Sequence, residues 1–128
     1  MRFASQRHGM ITNNIANLDT PNYRMQDVSV EDFQSRLGEA IDARRKAFGG
    51  VRGELTWRPT RELQGKDPTQ MTLRPTEQGG LLYHDRATRD LERTMQDLVE
   101  NTAMYQLAAN LYSSHSRLLK SAISERVG

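Results

Sequence analysis

A chain of 128 residues with 36% hydrophobic and 27% charged residues and a mean hydropathy of −0.76 suits one small domain or an elongated helical subunit, with a lean core but no composition for full disorder. Its 18 Lys and Arg face 16 Asp and Glu, so the pI of about 9.2 describes a nearly balanced chain rather than a polyanion binder. With no cysteine it has no disulfide and no thiolate chemistry, and no apolar run approaches the roughly 18 residues of a membrane span.

The start, Met1-Arg2-Phe3-Ala4-Ser5-Gln6-Arg7-His8, has no apolar stretch behind its charges and does not read as a secretory signal; at face value this says cytoplasmic. A first helix is predicted from about Arg2 to Leu18. Ala4, Ile11, Ile15 and Leu18 form its apolar stripe, with Phe3 and Met10 beside it. No charge falls between Gly9 and Leu18, and a window so short and amide-rich suits burial against protein rather than lipid. Asn13 and Asn17 share a neighbouring face one turn apart. Pro21 stops the helix, and Pro21-Asn22 fits the central positions of a type II turn, leading to an extended exit through Tyr23. Asn is a poor helix former. Two readings of the Asn cluster stand: ordinary caps at a fraying helix end, or side chains that bond another helix repeatedly in an assembly.

Met25–Val30 alternates weakly and is predicted to be extended. Phe33, Leu37 and Ile41 predict a short helix over about Gln34–Arg45, and Ser29 with Asp32 fits a capping box loosely. From Phe48 to Tyr83 the Gly and Pro content rises, which reads as loops and short strands. Leu55-Thr56-Trp57-Arg58-Pro59-Thr60 and Met71-Thr72-Leu73-Arg74-Pro75-Thr76 echo one another, and predict two strands paired around Gln64–Pro68. Trp57 is expected to anchor that small cluster.

The segment from about Thr88 to Ser124 lacks Gly and Pro and predicts a helix of about 55 Å. Leu91, Leu98, Tyr105, Tyr112 and Leu119 form a heptad d series, and Met95, Thr102, Ala109, Ser116 and Ile123 the a series. A second stripe holds Met104, Leu107, Ala108, Leu111, Leu118 and Ala122. Two seams need two partner layers. Asn101 to Ser116 carries no formal charge with His115 neutral, so partners from other subunits are expected.

His8, His84 and His115 are scattered without ligand spacing, and no nucleophile–base set or phosphate-binding loop is present. The chain therefore reads as a non-enzyme without a metal or cofactor. Arg44-Arg45-Lys46 reads as a solvated helix end, and a salt-sensitive nucleic-acid binder is suggested by the pI alone.

Asn13-Asn14-Ile15-Ala16-Asn17 followed by Asp19-Thr20-Pro21-Asn22-Tyr23-Arg24 resembles the N-terminal signature of the bacterial flagellar rod, hook and hook-associated proteins. That family usually has Gly where Asn22 stands, and its first helix begins about ten or more residues, roughly three turns, earlier, which would place Met1 within the helix. Asp90–Met95, Leu98–Asn101, Tyr105-Gln106 and Leu118–Ile123 resemble the C-terminal half of a proximal rod protein; Arg86-Ala87 stands where Gly-Asn is frequent. The resemblance implies a mainly α fold in which residues 1–24 and 86–126 pair as one coiled-coil-like α domain. Residues 25–85 would form a small, irregular, β-containing middle. It implies a structural subunit of the basal-body rod, exported through the flagellar channel without a cleaved signal. Its partners would be other copies of itself, other rod proteins, and rod adaptor, membrane-ring and export-gate components, with no nucleic acid. Asn13, Asn14, Ile15, Asn17, Leu18, Pro21 and Tyr23, with Leu91, Met95, Leu98, Tyr105, Leu111, Tyr112 and Leu119, are the expected assembly residues. Both uncharged windows are expected to order only when neighbours cover them. The alternative is a cytoplasmic coiled-coil module of an export apparatus.

Overall fold

The computed structural model describes residues 1–50, 52–77 and 90–125. Helix α1 spans Arg2–Ala16, α2 Val30–Phe48 and α3 Leu91–Glu125; the two-residue strands β1 (Gln26–Asp27), β2 (Leu63–Gln64), β3 (Thr72–Leu73) and β4 (Thr76–Glu77) lie between them. The chain is mainly α, its first and last helices pack together, and its middle holds short antiparallel pairs, β1 with β4 and β2 with β3. The expectations that rested on Gly79-Gly80, Tyr83, His84, Arg86-Ala87 and Thr88 lie outside the described residues.

The buried face of α1 is Phe3, Ala4, Arg7, Ile11 and Asn14. This corrects the stripe predicted from hydropathy. Ile15 and Leu18 are half-buried, while a cation and an amide take places among the buried residues. Hydropathy assigns Arg and Asn to solvent; here each is matched by polar partners that repay its desolvation. The helix ends at Ala16 rather than Leu18, because the Leu18 N–H turns back to the Ile15 carbonyl at 3.3 Å, a tighter turn. The Gly9–Leu18 window is covered in part by its own chain, with Ile11 and Asn14 buried.

Helix α2 exceeds the predicted Gln34–Arg45 at both ends, and its caps explain why. The Ser29 hydroxyl accepts from the Asp32 N–H at 3.0 Å, so the helix begins at Val30. Gly49, with φ 64, closes it through an N–H bond to the Arg45 carbonyl. The reciprocal half of the capping box is not local. The Ser29 N–H donates to Glu62 Oε2 at 2.8 Å, while Asp32 Oδ2 accepts the Thr60 hydroxyl at 3.4 Å. The Glu62 carboxylate also accepts from the Thr76 hydroxyl at 2.8 Å, tying the start of α2 to the middle segment.

The two echoed segments do not pair with each other. Residues 63–66 lie between them. Trp57 N–H bonds to the Lys66 carbonyl at 2.9 Å and Thr60 N–H to the Leu63 carbonyl at 2.8 Å, while on the other side Leu63 pairs with Leu73 and Gln64 with Thr72. The nearest segment in sequence pairs first because the loop it closes is shorter. Gly65 permits the turn that follows: its φ is 88, and a Cβ there would collide with the Gln70 carbonyl.

The core lies between α1, α2 and this middle segment. Phe3, Val28, Leu63 and Met71 are buried together, with Met10, Val30, Phe33, Trp57 and Leu73 packed around them. Trp57 thus joins the main core rather than a local cluster. Phe3 stacks on Phe33, ring centroids 4.0 Å apart. Helix α3 supplies none of these residues.

Two glycines separate backbone from packing effects. Gly65→Ala should cost roughly 1–3 kcal/mol, whereas Gly38→Ala, at a helical position with open space around it, should stabilise by about 0.5–1 kcal/mol. Urea unfolding of the two variants, followed by circular dichroism, checks both signs.

Candidate assembly interface

Three polar connections hold α1 to the rest of the chain. The first is Arg7, 4% exposed on α1. Its Nε donates to Asp27 Oδ1 at 2.9 Å, and its Nη2 to Asp27 Oδ2 at 2.6 Å and Asp97 Oδ1 at 2.9 Å. One guanidinium therefore joins α1, β1 and α3. Burial opposes its charge, but the hydrogen bonds and charges of Asp27 and Asp97 outweigh this and raise its pKa above the ordinary value.

The second connection is Asn14. Its amide donates to the Gln26 carbonyl at 2.8 Å, and its Oδ1 accepts from the Gln26 N–H at 3.0 Å. The side chain thus acts as a peptide unit laid against β1, whose other edge pairs with β4. The Tyr23 hydroxyl donates to the same Oδ1 at 2.9 Å and accepts from Asn13 Nδ2 at 3.1 Å. Asn17 Nδ2 donates to the Asn13 carbonyl at 2.9 Å. Pro21-Asn22 makes the expected turn: Tyr23 N–H reaches the Thr20 carbonyl at 3.2 Å, and Asn22 has φ 61. The predicted Asn13 and Asn17 are on the outer side of this network, and the buried amide is Asn14.

The third is Asn101, buried on α3, whose Nδ2 donates to the Ala4 carbonyl at 2.9 Å. With Thr94 seven residues earlier, also buried, it marks the face that α3 turns to its own chain. Thr94 Oγ1 lies 3.5 Å from Met25 Sδ. Little of the d series, expected to pair with the chain's own first helix or with a neighbour, is covered by its own chain. Leu91, Met95, Tyr105, Tyr112 and Leu119 are exposed, Tyr105 by 41% and Tyr112 by 71%, and Leu98 is half-buried. The intrachain stripe of Thr94, Asp97 and Asn101 is polar because its partners on α1 are a guanidinium and a carbonyl. Leu98 and Tyr105, three residues before and four after Asn101, share its side of the helix; the distal d residues Tyr112 and Leu119 are exposed because α3 runs on past its own chain's cover, residues 110–125 being exposed apart from Ser116. Leu111 in the second stripe is exposed by 63%.

Arg7, Asp27, Asp97 and Asn101 escaped the sequence reading. A signal existed: Arg7 falls between Ala4 and Ile11 on an apolar face, which demands a buried counter-charge. A cleft of about 210 Å³ between α1 and α3 is lined by Ala4, Ser5, His8, Asn101, Thr102 and Tyr105. Among the described residues no group of His, Asp or Glu is arranged to hold a metal, and no helix is long and apolar enough to cross a membrane.

The family profile described as Flagella basal body rod protein matches residues 3–24, which are α1 and the Pro21-Asn22 turn. Over 123 residues the chain is 28% identical to the flagellar basal body rod protein FlgB of Escherichia coli K12, covering 88% of this chain and 79% of that protein. The FlgB of Borrelia hermsii is 28% identical over 116 residues, covering 87% and 80%, and that of Salmonella typhimurium LT2 29% over 116 residues, covering 89% and 80%. The chain is thus similar to FlgB-type flagellar basal body rod proteins.

Asn14→Ala should cost about 2–4 kcal/mol, since it leaves both backbone groups of Gln26 without their partner; Asn13→Ala, at an exposed site, should cost under about 1 kcal/mol. Asn22→Gly should be neutral or mildly stabilising and Asn22→Val destabilising, because a β-branched residue resists φ > 0. Urea midpoints of the four variants test this ordering. Burial raises the Tyr23 pKa above its ordinary 10.0, against an opposing effect of the Asn13 hydrogen bond. A raised folded value means that the stabilisation is full below the ordinary pKa and is lost as pH climbs through the higher one. In an absorbance titration of the phenols, Tyr23→Phe should remove a component that ionises above the usual range.

Proposed function

We propose that this chain is a structural subunit of the flagellar basal-body rod that stacks with copies of itself and with other rod proteins, and that the stack transmits torque. The profile match over residues 3–24 and the FlgB relatives support the rod assignment. The observation that carries assembly is the outward face of α3: Met95, Tyr105, Leu107, Leu111, Tyr112 and Leu118 are large, apolar or aromatic, and exposed along one helix. Leu107, Leu111 and Leu118 share one side of the helix, and large apolar side chains exposed together in this way mark an interaction surface. A heterologous contact that does not close on itself builds a helical filament.

In this reading the a/d residues Leu91, Met95, Leu98, Tyr105, Tyr112 and Leu119 meet one neighbour, and the Leu107, Leu111 and Leu118 stripe a second. Ile15, Leu18 and Pro21 lie beside the Asn14 network. Its work is to hold the exit of α1, with Asn13 and Asn17 on the outside for contacts between subunits. Membrane-ring and export-gate components are the partners at the rod's base, and the chain reaches the basal body through the flagellar export channel without signal cleavage.

Leu111→Glu tests the reading. The purified variant should keep the circular dichroism and melting temperature of the parent, because Leu111 is already exposed. In cells in which this chain is the sole copy of its rod protein, it should abolish rod assembly and motility. Normal swimming would remove α3's second stripe from the assembly surface.

A further inference from the structure

Arg7 has two carboxylate partners that are held in different ways. Asp27 takes both Nε and Nη2 and is buried; Asp97 takes Nη2 alone, and its side chain keeps 20% of its exposure. Asp27 belongs to β1, which is fastened to α1 by the Asn14 amide. Asp97 belongs to α3, which shares no residue with the main core. The middle segment, by contrast, is pinned to α1 directly: Gln6 Nε2 donates to the Met71 carbonyl at 3.0 Å, and Gln6 Oε1 accepts from the Leu73 N–H at 2.9 Å.

We propose that the Arg7–Asp97 contact is a salt-sensitive latch, which fixes α3 to a unit that α1, α2 and the middle segment complete without it. Three features make release inexpensive. Arg7 remains paired with Asp27 through two hydrogen bonds, so no buried charge is left uncompensated, which is the usual penalty for breaking a buried pair. Asp97 is already partly in water. Asn101 donates one bond to Ala4, but its buried Oδ1 has no partner while α3 is docked, and release hydrates it. Release is resisted by the α1–α3 packing, the most extensive between two elements among the described residues, and by Met25, 1% exposed and touched by Thr94. Salt weakens the partly exposed Asp97 contact far more than the enclosed Asp27 one. The latch therefore acts on α3 and spares α1, which departs from the expectation that both helical ends order together. The device is independent of what the released helix goes on to bind.

Hydrogen exchange on the full chain, in a sample shown to be monomeric, tests this. Three segments are compared: Arg2–Ala16, Leu63–Leu73, and the docked stretch Thr94–Met104. At low salt Thr94–Met104 should exchange at least about tenfold faster than the other two, which corresponds to a gap of about 1.4 kcal/mol in opening free energy. Raising salt from about 0.05 to about 0.5 M should shorten the screening length severalfold and speed Thr94–Met104 further, with Arg2–Ala16 and Leu63–Leu73 unchanged. Asp97→Asn should reproduce the high-salt rate and abolish the salt response. A common rate for all three segments would overturn the proposal, as would a salt response that survives in Asp97→Asn.

Discussion

A guanidinium buried between two carboxylates is the contact on which this structure depends. Arg7 sits where a hydrocarbon side chain would satisfy the helical pattern of α1, yet it brings Asp27 and Asp97 to one point. Desolvating three charged groups has a large cost, returned only when geometry is good and every donor is met. Here the contact with Asp27 through Nε and Nη2 and the single bond to Asp97 supply that geometry. The reward is direction. An apolar residue at position 7 would accept several rotations of α3, whereas the planar guanidinium accepts one.

The Asn14 network applies the same logic to the strand that follows. β1 is two residues long, too short to hold itself, and one side of Gln26 is completed by an amide side chain rather than by another strand. Tyr23 closes the network from the far side of the Pro21-Asn22 turn. The stretch most like the rod family's N-terminal signature is therefore a folding device within the chain, which aims the backbone from α1 into β1 and places Asp27 under Arg7.

These polar connections explain how so lean a chain can fold and still display an apolar helix. The core is assembled from α1, α2 and the middle segment, and α3 is held to it through Arg7, Ala4 and Met25. α3 runs on past the contacts with its own chain, and residues 110–125 are exposed apart from Ser116. A subunit that buried them internally would have nothing left for neighbours. The uncovered length of α3 is where the proposed assembly contacts lie.

Much of this was legible in the residues. The long uninterrupted helix, the stop at Pro21, the positive φ at Asn22 and the Gly/Pro-rich middle all follow from local chemistry, and local chemistry is what a sequence displays. The two stripes of α3 were equally readable, as was the family resemblance of Asn13–Arg24. Tertiary structure alone decided which residues of α3 are held by its own chain, because that depends on what stands opposite: a guanidinium and a carbonyl hold Asp97 and Asn101. It likewise chose Asn14 over Asn13 and Asn17, Glu62 over Asp32 as the second half of the Ser29 cap, and residues 63–66 over the echoed segment as the neighbour of Trp57. Each of these is a pairing between groups distant in the chain or equivalent in type, and only the packed molecule distinguishes them, through burial and the direction of its hydrogen bonds.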